Sequence, residues 1–289
     1  MGLEKPIFII SAGRSGSSTL HKLLAYHPDL AWLSGYCDKY PHYPAINRWI
    51  LKSAELPFIG RLLRRKMSPW ESYRFWETYC PGFSLPCRDL VAADVATCAR
   101  EGIRRALAQI AAHRGQRLLL KITGWPRIGF LREIFPDAKF VHVMRDGRAV
   151  VNSILKVNWW WGWRGPENWR WGELPDVYRR EWETSGKSFV ALAGIQWRIL
   201  MDAAEEARQL VPNCDSMAVR YEDLCRDPVK VFRAVVDFAE LRRLGHFEAM
   251  VRHYPFRNTN AKWKSDLTPT QQDILQKVLA DHLAKYGYK

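Results

Sequence analysis

Gly13, Arg14, Ser15, Gly16, Ser17, Ser18 and Thr19 form a short run of small residues holding one cation and several hydroxyls. Two glycines admit backbone angles and close approaches that a side chain would block, so successive N–H groups can point into one concavity. The apolar stretch Ile7-Phe8-Ile9-Ile10-Ser11 precedes the turn and a helical pattern follows from Ser17. The N–H groups from Ser15 to Thr19 then fall at the positive end of a helix dipole. The chemistry this predicts is the seating of a phosphate or sulfate, with Arg14 and the Ser17, Ser18 and Thr19 hydroxyls as further donors.

The turn is not a Walker loop. That pattern needs a second Gly where Ser18 stands, followed by Lys, and neither is present. A second strand, turn and helix start runs from Phe140 to Ser153. Arg145 leaves the strand's carboxyl end, and Ser153, eight residues on, lies about two turns into the helix, so both can converge on one anion. A third segment reads Ala218-Val219-Arg220-Tyr221-Glu222-Asp223-Leu224, then Asp227-Pro228 and an apolar helical pattern over Val229 to Ala239. A fourth, basic, runs from Arg257 through Lys262-Trp263-Lys264 to Leu267-Thr268-Pro269.

In this order, over residues 6 to about 270, the four segments resemble the phosphate-binding motifs of bacterial-type sulfotransferases dependent on 3′-phosphoadenosine-5′-phosphosulfate (PAPS). The resemblance implies a P-loop-like fold and transfer of a sulfuryl group from PAPS to an acceptor hydroxyl or amine, leaving adenosine 3′,5′-bisphosphate and requiring no metal. It implies that Arg14, Ser15, Gly16, Ser17, Ser18 and Thr19 bind the 5′-phosphosulfate. Arg145, Ser153, Lys262 and Arg257, the last slightly off the family spacing, would hold the 3′-phosphate, and Tyr221 would contact the nucleotide. Lys121 matches a family lysine that assists the transferring group; a plain salt bridge is its alternative. The general base is the gap. The family places a Glu after the second strand or a His after the third, and here Leu33 to Tyr40 holds no Glu and Lys121 to Pro126 no His. Asp38 is the nearest carboxylate and His42 the nearest imidazole, with Asp38 preferred.

The elements that must position these groups are short buried strands at Ile7–Ser11, Leu30–Ser34, Arg117–Ile122, Lys139–Met144 and Ser216–Arg220. Helical patterns alternate with them: Ser17–Tyr26, Val91–His113, Ile128–Phe135, Gly147–Leu155, Lys187–Leu210 and Pro228–Glu240. That alternation predicts an α/β fold, a three-layer arrangement with a central parallel sheet flanked by helices, binding ligand at the strands' carboxyl ends. Residues 1–289 read as one domain with insertions around 35–90 and 157–182. The second insertion holds Trp159, Trp160, Trp161, Trp163, Trp169, Trp171 and Trp182. It reads either as a lid over an aromatic, glycan or lipid-linked acceptor or as a small subsidiary core, with Arg164 and Arg170 placed for cation–π contacts. In the first insertion, Arg61 to Lys66 could form a basic amphipathic helix on an anionic membrane, or a solvated helix.

Composition is that of a soluble globular chain: 289 residues, 47% hydrophobic and 26% charged. No apolar run approaches the roughly 18 residues that span a bilayer, and no leader is evident, so a cytoplasmic protein with peripheral membrane contact as an option is expected. The cysteines at 37, 80, 87, 98, 214 and 225 show no zinc spacing and read as reduced, a Cys80–Cys87 bridge being the alternative. A net charge of +14 steers anions such as PAPS towards the protein. No nucleic-acid-binding motif accompanies it, and oligomeric state is open. The competing functions are a nucleotide-dependent kinase, which would want a Walker Lys and a metal-binding carboxylate, and a non-catalytic glycan- or membrane-binding module.

Overall fold

The computed structural model describes residues 3–53, 56, 68–84, 87–112 and 117–288. Among them, β1 (Ile7–Ser11), β2 (Leu30–Trp32), β3 (Arg117–Thr123), β4 (Lys139–Met144) and β5 (Ser216–Arg220) form one parallel sheet in the order β2-β3-β1-β4-β5. All five residues of β1 are buried, which requires cover on both faces and explains why this strand reads as an unbroken apolar run. β1 is central, with Ser11 opposite Thr123 of β3 and Ile10 opposite His142 of β4. From β1 the chain crosses to β2, returns through β3 and continues outward on the other side. The crevice for a ligand therefore opens where the turns after β1, β3 and β4 meet.

Helix boundaries fall within a few residues of the sequence expectation: Ser17–Leu24, Thr97–Ala111, Ile128–Ile134, Gly147–Ile154, Phe189–Arg208 and Pro228–Phe238. The pattern expected over Val91–His113 is split, with a short 3-10 turn at Ala92–Asp94 before the helix proper; His113 and the basic run Arg61–Lys66 lie outside the described residues. The stretch 35–90 does more than surround the site. Its Phe75, Trp76 and Phe83 are at most 1% exposed and join the main core, with Trp76 stacked on Phe83 at 4.6 Å between ring centroids. A second core forms where the helices Phe189–Arg208 and Pro269–Lys285 close on Gly147–Ile154 through Trp197, Leu275 and Ile154. All six cysteines are free thiols, with Cys37 and Cys80 pushed up to about 12 by burial. Among the described residues no helix is long and apolar enough to cross a membrane.

Candidate active site

The turn after β1 is left-handed three times, at Gly13 (φ 87°), Arg14 (φ 55°) and Gly16 (φ 85°). At Gly16 a Cβ would come within 2.4 Å of the Tyr221 ring, so only glycine fits there. Gly16 also opens the helix Ser17–Leu24 with no side chain capping it and no acidic residue in its first turn, which leaves that end electropositive. Two of the hydroxyls serve the turn itself: Ser15 donates to the Gly13 carbonyl at 3.0 Å, and Ser17 is within 2.9 Å of Ser11. The Thr19 N–H is taken by the Gly16 carbonyl at 3.0 Å.

A cavity of about 880 Å³ opens above these strand tips. Gly13, Arg14, Gly16, Ser17, Ser18 and Thr19 line its floor, Lys121 and Thr123 come from β3, and Arg145, Ser153, Tyr221 and Thr259 form the opposite side. Arg145, 6% exposed, is held at every nitrogen: Nη1 donates to the Arg14 carbonyl (2.9 Å), Nη2 to Thr259 Oγ1 (2.9 Å) and Nε to Asn260 Oδ1 (2.8 Å). Its guanidinium lies 4.2 Å from the centre of the Tyr221 ring. Burial lowers the Arg145 pKa, yet an arginine stays charged at neutral pH, so this is a desolvated cation facing the cavity. The Tyr221 hydroxyl donates to the Arg257 carbonyl at 2.7 Å, fastening the loop after His253 to the end of β5. Arg14 reaches across to Ser153, Nε to Oγ at 2.9 Å.

On the other side, Lys121 Nζ donates to Ser18 Oγ at 2.7 Å and pairs with Glu71 at 2.8 Å, while Thr123 Oγ1 donates to the other Glu71 oxygen at 3.1 Å. Tyr73 braces this corner by donating to the Thr123 carbonyl at 2.7 Å and accepting the Thr123 N–H at 3.0 Å. Trp70, Trp125, Trp159 and Trp171 make an aromatic wall, with Trp171 lying where a Cβ on Gly124 would be.

Arg14, Gly16, Ser17, Ser18, Thr19, Lys121, Arg145, Ser153 and Tyr221 thus share one cavity. Ser15 stands behind the turn, 1% exposed. Asp38 is not in the lining: its Oδ1 accepts the Arg74 N–H at 2.8 Å, capping the helix Tyr73–Tyr79. His42 is exposed away from the lining, as are the side chains of Arg257 and Lys262. The carboxylate that does face the cavity is Glu71, to which sequence reasoning assigned no role. An antiparallel bridge between Ser34 and Pro69 brings it back beside the end of β2, where the sequence itself has no Glu. The Trp-rich segment divides: Trp160 and Trp169 are buried in the second core, Trp159 and Trp171 line the cavity, and Trp161 and Trp163 are exposed. Both cation–π expectations are met, Arg164 over Trp161 and Trp163, and Arg170 over Trp159. No cluster of metal-ligating side chains occurs among the described residues.

A parallel sheet with a glycine-bearing turn at its central strand tip and a buried arginine just past the end of the neighbouring strand defines an open α/β protein with its crevice at the strands' carboxyl ends. The chain belongs to the Sulfotransferase family, whose sequence profile matches residues 6–244. It is 24% identical over 314 aligned positions to the omega-hydroxy-beta-dihydromenaquinone-9 sulfotransferase Stf3 of Mycobacterium bovis and to the protein of that name in Mycobacterium tuberculosis, covering 99% of this chain and 76% of each relative. Among solved structures, sulfotransferase STF9 of Mycobacterium avium aligns with a TM-score of 0.63 at 18% identity, over 100% of this chain and 78% of that one. The sulfotransferase domain from the curacin biosynthetic pathway aligns with a TM-score of 0.54 at 14% identity, over 100% and 99%. The fold is that of the sulfotransferases, and family membership sets the kinase alternative aside.

Proposed function

We propose that the cavity binds PAPS and passes its sulfuryl group to a hydroxyl on an apolar, lipid-like acceptor. The observation that carries this reading is the tie between Arg14 and Arg145, which sets two anion-binding poles on one cavity whose remaining side holds a lysine–glutamate pair. Arg145 and Ser153 suit the 3′-phosphate, with Tyr221 backing the nucleotide; Lys262 and Arg257 would join only if their exposed side chains swing inward. The turn Gly13–Thr19 suits the 5′ end. The donor supplies the sulfuryl group: its S–O bond to the 5′-phosphate breaks as one forms to the acceptor oxygen. Lys121, bonded to Ser18 on the loop, is placed to neutralise charge on the departing phosphate. Glu71 is the base we assign. It faces the cavity and is oriented by Lys121 and Thr123, so it can take the acceptor's hydroxyl proton. Asp38, spent on a helix cap, has no such access.

The aromatic wall and the relatives named for a hydroxylated dihydromenaquinone support an acceptor with a large apolar body. Six free thiols support work in a reducing compartment. The deciding experiment is thermal unfolding with adenosine 3′,5′-bisphosphate. At a hundred times its dissociation constant it should add about 2.7 kcal/mol of stability. No rise, or an equal rise with magnesium-ATP, would overturn the reading.

A further inference from the structure

Two of the cavity's wall residues, Trp70 and Trp159, are themselves 55% and 41% exposed, so they form part of its rim. Each begins a run of exposed aromatic side chains. On one side, the Trp70 N–H donates to the Leu33 carbonyl at 2.8 Å, and the bridge from Pro69 to Ser34 sets this segment beside the helix Gly35–Lys39. There Tyr36 and Tyr40 stack at 6.5 Å, and the exposed side chains continue at three-residue steps through Tyr43, Ile46 and Trp49 along the helix Pro44–Ser53. On the other side, Trp161 and Trp163 follow Trp159, exposed by 48% and 58%.

These rings are paired with cations. Lys39 lies over Tyr40 (5.3 Å), Lys52 over Trp49 (5.2 Å), and Arg164 over both Trp161 (4.9 Å) and Trp163 (4.6 Å). The helix Pro44–Ser53 contains no acidic residue. Indole and phenol rings flanked by Lys and Arg suit the boundary between lipid headgroups and acyl chains, where the ring body is taken up and the cation meets a phosphate. A glycan would stack on ring faces, and here a cation occupies one face of five of these rings, Trp159 beneath Arg170 included. An acidic protein partner would use the cations but leave the indoles without an apolar bed.

We propose that this rim docks the cavity mouth on an anionic lipid bilayer, so that an acceptor held in the bilayer enters without crossing water. The docking stands by itself; the delivery rests on the transfer reaction proposed above.

The test is flotation of the whole protein with vesicles of phosphatidylcholine alone and of equal parts phosphatidylcholine and phosphatidylglycerol, with the bisphosphate-induced rise in melting temperature measured in parallel. The expected result is binding to the mixed vesicles, weaker by about tenfold on phosphatidylcholine alone or in high salt. Lys52→Gln should lower partitioning about fivefold. The triple variant Trp49→Ser, Trp161→Ser, Trp163→Ser should lose most binding while keeping the bisphosphate response, which shows that it is folded. Equal binding of wild type and triple variant, or no binding of wild type to either vesicle, overturns the docking. If wild type floats as expected but shows no bisphosphate response, the docking stands and the transfer reading falls.

Discussion

Arg145 donates to the main-chain carbonyl of Arg14 at 2.9 Å, so the turn after β1 is fastened to the tip of β4 by a buried cation. Three hydrogen bonds from one guanidinium leave little freedom for that corner, and removing it would take a partner from the Arg14 carbonyl, Thr259 and Asn260 together. Arg145→Ala should weaken adenosine 3′,5′-bisphosphate by about a hundredfold, the scale of losing a buried charged contact. Isothermal titration reads this directly, and an affinity within a few fold of wild type would remove Arg145 from the nucleotide site.

Arg14 occupies the same corner with more freedom, its side chain exposed and bonded to Ser153. If it turns to the 5′ end during transfer, Arg14→Ala should cut turnover more than bisphosphate affinity. Should affinity fall and turnover per bound complex hold, Arg14 belongs to the 3′-phosphate with Ser153.

Glu71→Gln keeps the shape of the side chain but cannot accept a proton. Turnover should fall by at least about a hundredfold with bisphosphate affinity little changed. Asp38→Asn should leave turnover within about twofold, since that carboxylate serves a helix cap. The opposite pattern would return the base to Asp38.

Gly16→Ala meets two obstacles, a positive φ costing about 1–3 kcal/mol and the Tyr221 ring 2.4 Å from the new carbon. Melting temperature and bisphosphate affinity should both drop. Adding Tyr221→Ala should relieve the contact but not the backbone strain, so a complete rescue would show that φ is immaterial there.

Three buried histidines erode stability in acid, and burial lowers His27 as well as the two with the larger shifts. Burial lowers His21 to about 3 and His142 to about 4, and Lys121 pushes His21 the same way. The unfolded chain, with both near 6.5, binds more protons, so their stability is complete above that value and is lost as pH falls through the folded values, by about 1.4 kcal/mol per pH unit for each histidine. Asp89 acts oppositely: burial raises it to about 6, so it returns stability as pH falls from there towards its usual 3.8. Three losses, His27 included, exceed one gain. Urea midpoints should therefore fall steadily between about pH 6.5 and 4, with a shallower slope in His142→Val; a flat profile would refute this.

The sheet was readable because strands buried on both faces leave continuous apolar runs, as β1 and β4 do with the bounds expected; the partly buried edge strand β5 also has its expected bounds. Arg145 and Lys121 could be placed for a related reason, since each lies near a strand end and its direction is fixed by a few bonds, and Ser153 follows from the helix that leaves β4. Glu71 could not, because its position depends on a bridge between Ser34 and Pro69, a contact between distant segments that no local pattern encodes. The basic loop misleads differently: its charges, Arg257 and Lys262, are exposed, whereas its neutral Thr259 meets Arg145 and the cavity. The tryptophans carry no periodicity that separates core, wall and rim. The helix Pro269–Lys285 was not among the helical patterns expected, although its start carries a reciprocal Thr268–Gln271 cap with Pro269 behind it.

The contact of Tyr221 with Gly16 joins the earliest functional turn of the chain to one of the latest. A fragment ending before Ser216 would contain both glycines, Arg14, Lys121, Arg145 and Ser153, yet lack the phenol ring that presses on the turn and the threonine and asparagine that hold the guanidinium. During synthesis on the ribosome, the cleft can take its final form only after residue 260 has emerged, so a truncated product would be incompetent without being obviously incomplete.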